Sequence, residues 1–113
     1  NFQHIYLHRD NVDFRKSING LSVIVEQEMN LSPYENALFV FANRRADKLK
    51  ILYWDKTGFC LWYKRLEKDT FKWPKKHADD TIQLSQQQIQ WLLSGYNISQ
   101  MKPHKTLELG SVS

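Results

Sequence analysis

The chain has little of what secreted, membrane-spanning or disulfide-linked proteins require. Its 113 residues include a single cysteine, Cys60, so no intramolecular disulfide can form, which fits a reducing compartment. No run approaches the roughly 20 apolar residues of a membrane span. The first residues also lack the charged-then-apolar layout of a secretory signal. We therefore expect a cytoplasmic protein with no membrane partner.

The sequence also lacks the motifs that usually accompany catalysis. It has no glycine-rich phosphate loop, no paired-cysteine zinc spacing and no serine on a strand-to-helix elbow. Asp10, Asp13, Asp47 and Asp55 could bind a divalent metal in a nuclease, but Asp13 suits a helix N-cap and Asp55 suits a tight turn. The four histidines are scattered, and we expect them to be exposed to solvent. We predict no catalytic residue, no cofactor and no metal, and a metal-dependent nuclease is the least favoured hypothesis.

The composition is that of one globular domain, with 42% hydrophobic and 25% charged residues. Residues Ile5–Leu7 form a short apolar run that suits a strand. Beyond it, Asp13 is the predicted N-cap of a helix that ends near Met29. The helix is indicated by one apolar stripe with spacings of four, three and four residues: Phe14, Ile18, Leu21 and Val25.

The centre of the chain predicts an antiparallel meander. Its three main strands are predicted at Leu38–Phe41, Leu49–Trp54 and Phe59–Arg65, and Phe71–Pro74 is expected to add a short edge strand. The last two main strands are joined by the turn Asp55-Lys56-Thr57-Gly58, with Gly58 expected at a positive φ. Placing Trp54 opposite Phe59 sets Leu52 between Phe39 and Leu61. Both faces of this sheet are apolar, so one needs the first helix and the other needs a later helix or a partner chain.

A second helix is predicted from Ser85 to Ser94 after the polar linker Lys75–Asp80. Ser85 and Gln88 form a capping box, and Gly95 is placed to end the helix. Residues 1–98 are therefore expected to form the domain, and residues 99–113 a polar C-terminal tail. The predicted fold is α+β, a three- to four-stranded antiparallel β-meander packed by two helices.

Positive charge is concentrated in one part of the chain. Residues 44–76 contain 11 of the 16 Lys and Arg residues and four acids, although the whole chain carries only +4. Such segregation on a strand-rich segment points to a surface that faces a polyanion. A solvated charged face is the plain alternative. Six cations are the candidates for phosphate contacts: Arg44, Arg45, Lys48, Lys64, Arg65 and Lys68. Tyr63 and Trp73 are the candidates for base stacking.

The same residues resemble a known family. The central segments that carry the resemblance are Leu38–Phe41, Arg44-Arg45 with Asp47-Lys48, Leu49–Asp55, Gly58, Leu61–Glu67, and Phe71 with Trp73-Pro74. Flanking matches are Asp13–Lys16, Gly20-Leu21, Leu84-Ser85 and Leu92–Gly95. Over about residues 5–96 the chain resembles the TnpB accessory proteins encoded by the second reading frame of bacterial insertion sequences of the sixty-six family. The segment Lys102–Ser113 has no counterpart in this pattern.

The resemblance implies an accessory role in DNA transposition beside a separate transposase that carries the nuclease chemistry. It implies no catalytic residue. The leading hypothesis is a non-catalytic protein that binds DNA, at the element ends or non-specifically, binds the transposase, or binds both. The alternative is a pure protein-interaction subunit whose second apolar sheet face docks the transposase or another copy, as a homo-oligomer.

Overall fold

The computed structural model describes residues 1–98, which form five strands and two helices. Their order along the chain is β1 (His4–His8), α1 (Ile18–Gln27), β2 (Ala37–Ala42), β3 (Lys48–Asp55), β4 (Gly58–Arg65), β5 (Thr81–Leu84) and α2 (Gln86–Leu93). No helix in this part of the chain combines the length and apolar character needed to cross a membrane. The α+β class predicted from the sequence is confirmed.

The sheet differs in detail from the predicted meander. Its strand order is β4-β3-β2-β1-β5. The antiparallel meander is present as β2, β3 and β4, but β1 lies beside β2 in parallel, and β5 pairs antiparallel with the other side of β1. Parallel neighbours require a crossover, and α1 supplies it between β1 and β2. The result is a five-stranded mixed sheet with the first strand in its interior.

The strand register within the meander matches the prediction. Leu52 lies between Phe39 on β2 and Leu61 on β4, and Trp54 is opposite Phe59. The expectation of a positive φ at Gly58 is wrong. The two-residue loop is Lys56-Thr57, and Lys56 adopts φ 49°. Gly58 is the first residue of β4, and the left-handed backbone conformation of the turn is that of Lys56.

Helix α1 covers one face of the sheet. Its buried residues Leu21, Ile24 and Val25 pack on Phe39 and Leu52. The helix is shorter than predicted and begins after Ser17, which makes no side-chain capping bond. The assignment of Asp13 as N-cap is therefore wrong.

The opposite face is covered by α2 and by the loop between β4 and β5. Leu7, Val40 and Leu49 contribute to its core, together with a second layer that comprises Phe71, Trp73, Ile89 and Leu92. The predicted edge strand Phe71–Pro74 is wrong, because this segment lies across the sheet face instead of extending its edge. The open second face required by the docking alternative is thus filled by the chain itself.

Helix α2 confirms the predicted capping box. Ser85 Oγ accepts a bond from the Gln88 backbone N–H at 3.0 Å, and Gln88 Oε1 accepts one from the Ser85 N–H at 2.8 Å. Gly95 follows the helix with φ 93°, a conformation that favours glycine. Strand β5 was not predicted, although it directly precedes this cap. The expectation of a polar tail at residues 99–113 lies outside the described residues.

Candidate nucleic-acid interface

The loop between β2 and β3 presents Arg44 and Arg45 at the tip of a hydrogen-bonded turn. The Ala46 N–H donates to the Asn43 carbonyl at 3.0 Å, so the two arginines occupy the central positions of the turn. Both are exposed to solvent. Ala46 itself is buried and adopts φ 57°, which bends the chain back into β3.

Asn43 and Asp47 brace the base of this turn. The Asn43 side-chain amide donates to Asp47 Oδ1 at 2.6 Å, and Asn43 Oδ1 accepts from the Lys48 N–H at 3.0 Å. The bond from Asn43 is the main reason that the pKa of Asp47 lies below its ordinary value. A turn braced in this way fixes the backbone that carries both arginines, so only their side chains have to be ordered on binding.

Lys48, Arg65 and Lys68 lie at the same end of the sheet as the arginine turn. Lys48 opens β3 and is directly opposite Arg65, which closes β4. Lys68 lies in the following loop, whose Leu66 and Phe71 backbone N–H groups donate to the carbonyls of Asp47 and Ala46 at 2.8 and 2.7 Å. The loop that carries Lys68 is therefore fastened to the base of the arginine turn.

The fold adds two cations that were not among the sequence candidates. Because β1 and β2 are parallel, Arg9 after β1 lies at the same end of the sheet as Arg44 after β2. Arg9, Arg44 and Lys75 share a cleft of about 310 Å³, which is also lined by Asp10, Asn11, Asn43 and Trp73. Lys75 could have been found from the charge count alone. Arg9 could not, because its position depends on the parallel pairing.

We call this surface the basic end, and it comprises Arg9, Arg44, Arg45, Lys48, Arg65, Lys68 and Lys75. Within residues 1–98 only Arg9 and Arg65 of this set form ion pairs, with Asp10 and Glu67. The other five cations form no ion pair among the described residues, although the charges of Arg45 and Lys48 also act on the Asp47 carboxylate. Cations that are not held in ion pairs are available to neutralise phosphates.

Two of the sequence candidates have structural roles. Lys64 is half-buried on the sheet face that α2 covers. There its Nζ donates to the Leu93 carbonyl, at the C-terminus of α2, at 3.2 Å. Trp73 is only 9% exposed, and its Nε1–H donates to the Arg9 carbonyl at 2.8 Å. This burial argues against the predicted stacking role of Trp73, whereas Tyr63 is 49% exposed on β4.

The acids considered for a nuclease site are dispersed. Asp13 binds Arg15 through both carboxylate oxygens at 2.7–3.1 Å, and this pairing lowers the pKa of Asp13 to about 2. Asp55 lies at the hairpin turn, at the end of the sheet away from Asp47. Among residues 1–98, no three His, Cys, Asp or Glu side chains form a group that could hold a metal ion.

The expectation that the histidines are exposed is wrong for His8; His4 is half-buried, and His104 lies outside the described residues. His8 is 4% exposed, with Nδ1 at 2.7 Å from the Asp10 carbonyl oxygen and Nε2 at 3.1 Å from Glu28 Oε1. These contacts join the end of β1 to the segment that follows α1. His8 is thus part of the framework that holds the loop carrying Arg9.

Comparison with known proteins agrees with the resemblance seen in the sequence. Residues 3–103 match the family model described as IS66 Orf2 like protein. Two relatives come from Sinorhizobium fredii (strain NBRC 101917 / NGR234). The uncharacterized protein y4jC is 34% identical over 91 residues, which cover 80% of this chain and 77% of the relative. The uncharacterized protein y4hO is 33% identical over 91 residues, covering 80% and 78%. No solved structure matches the chain.

Proposed function

The chain belongs to the family of IS66 Orf2-like proteins and is thus a transposition-associated accessory protein, and from this premise we propose that it binds DNA non-catalytically through the basic end. The observation that carries the proposal is the arginine turn. Arg44 and Arg45 are exposed at its tip, while Asn43 and Asp47 fix its base.

The ligand proposed for this surface is the DNA phosphate backbone. The cations come from separate strand ends and loops, so they can follow a backbone on which charges repeat every few ångströms. Arginine and lysine contacts to phosphates position a protein on DNA without reading its sequence. The basic end therefore supports binding to element ends and to unrelated DNA with a similar electrostatic contribution.

The experiment is a salt titration of binding to a labelled DNA duplex, followed by fluorescence anisotropy. If about four to six phosphates are neutralised, log affinity falls against log salt with a slope of roughly −4 to −5. Arg44→Ala should weaken binding and flatten the slope by about one unit.

Lys56→Ala is the matched control. Lys56 is also an exposed cation in a β-hairpin turn, but it lies at the opposite end of the sheet. Its loss changes the net charge by the same amount and should leave affinity and slope nearly unchanged. A flat salt response, or equal effects of the two variants, contradicts the proposal.

The second proposed partner is the separate transposase. The accessory role of the family supports this pairing. Adding purified transposase to the same anisotropy titration should produce a slower-tumbling ternary complex on DNA. If the anisotropy with both proteins present is no higher than independent binding of each protein to the DNA predicts, a direct association is contradicted.

A further inference from the structure

Strand β4 has one edge that no described segment covers. It is the outermost strand of the sheet, next to β3 only. The Leu66 N–H donates to the Asp47 carbonyl at 2.8 Å, which shows that even-numbered residues here direct their backbone groups toward β3. Backbone bonding alternates along an antiparallel pair. Phe59, Leu61 and Tyr63 therefore direct their backbone N–H and C=O groups outward.

This edge lacks the features that normally prevent strand pairing. Strand β4 is eight residues long, contains no proline, and keeps an unbroken register with β3. Its charged side chains, Lys64 and Arg65, are confined to one end. Trp62 and Tyr63 are 42% and 49% exposed beside the open edge. A long, apolar, unbulged edge is a template for another strand. The other sheet edge, β5, has only four residues.

We propose that β4 pairs antiparallel with β4 of a second copy of this chain, about a twofold axis at Leu61. Such an axis leaves each pair of facing residues on the same side of the joined sheet. Leu61 then faces its own copy, Phe59 faces Tyr63, and Cys60 faces Trp62. The outward groups of Phe59, Leu61 and Tyr63 form about six main-chain hydrogen bonds across the pair.

The side-chain chemistry favours this register and this occupant. Every facing pair from Phe59 to Tyr63 is apolar when the axis lies at Leu61. Moving the axis to Trp62 places Phe59 against Arg65 and Cys60 against Lys64. With the axis at Leu61 the strand is therefore complementary to itself, as an interface between two identical copies requires, whereas with the axis at Trp62 it is not.

Charge separation favours the antiparallel arrangement. Parallel pairing would bring the cationic ends of the two strands together, and like charges that face each other destabilise a sheet. Antiparallel pairing about Leu61 places the two Arg65 residues roughly 26 Å apart along the strands. That separation exceeds the screening length of about 8 Å at physiological salt.

The first test is the mass of the full chain in solution, measured by light scattering and sedimentation. The monomer is 13.5 kDa, and the pair should be about 27 kDa. Tyr63→Pro removes an outward N–H and costs no bond to β3, so it should shift the protein to the monomer. Tyr63→Thr keeps the amide and should remain dimeric at high concentration. Circular dichroism checks that both variants are folded.

The second test locates the axis by disulfide trapping in a Cys60→Ser background. Directly paired residues have Cα atoms about 5.5 Å apart, within the range of a disulfide. Leu61→Cys should form a covalent dimer under mild oxidation, whereas Arg65→Cys should not. Dimerisation by Tyr63→Pro as strong as that of the unmodified chain, or equal trapping at both positions, overturns the proposal. A monomeric unmodified chain also overturns it.

Discussion

Truncation of Leu52 tests the strand register and the core beneath α1 together. Leu52 is fully buried at the centre of β3, between Phe39 and Leu61 and beneath Leu21 and Val25. Leu52→Ala removes three carbon groups, which accounts for about 2.4 kcal/mol at about 0.8 kcal/mol for each buried group. The cavity left between a sheet and a helix adds to this loss, so the expected cost is about 3–5 kcal/mol.

Urea unfolding provides the measurement. With a slope of about 1–3 kcal/mol per molar urea, the unfolding midpoint of Leu52→Ala should fall by about 1–5 M. Lys56→Ala in the neighbouring turn removes an exposed charge and should change stability by no more than about 0.5 kcal/mol. Nearly equal midpoints for the two variants would refute the register, because a shift of one residue turns Leu52 to the other face.

Two further predictions concern charged side chains. Lys64→Met should lower the free energy of unfolding by about 0.5–1.5 kcal/mol in urea, because it removes the bond to the last turn of α2, and it should leave the salt slope of DNA binding unchanged. Arg15→Gln should raise the pKa of Asp13 from about 2 toward its ordinary value of 3.8 in an NMR titration. Because the folded-state pKa of Asp13 is lowered, the stabilisation by this pair is complete above pH 3.8 and is lost as pH falls toward 2. If the pKa of Asp13 stays near 2 in the Arg15→Gln variant, pairing with Arg15 is not its cause.

The features predictable from the sequence are those set by neighbours in the chain. The register of β3 and β4 follows from a two-residue turn and alternating side chains, and the start of α2 follows from Ser85 and Gln88. The exposed arginine turn belongs to the same group, because Asn43, Asp47 and both arginines lie within five residues.

The features that could not be predicted depend on contacts between distant segments. Thr81–Leu84 becomes a strand because it meets β1, more than 70 residues earlier in the chain. Arg9 joins the basic end only because β1 lies parallel to β2. In the sequence Trp73 is flanked by lysines, as an aromatic residue that stacks on bases often is. Its burial depends on contacts with distant residues, such as the bond from its indole to the Arg9 carbonyl.

The interior position of β1 affects how the protein can form during synthesis. This strand leaves the ribosome before the other four strands, yet its two neighbours are residues 37–42 and 81–84. Domains begin to fold as they are translated, and pairing across a long separation must wait for the later segment. A nascent chain that has reached the end of β4 can complete a four-stranded sheet with β1 at its rim. The rim strand then has an unpaired edge until residue 84 emerges, so translational pausing in the segment between β4 and β5 would prolong the exposure of β1 to other nascent chains.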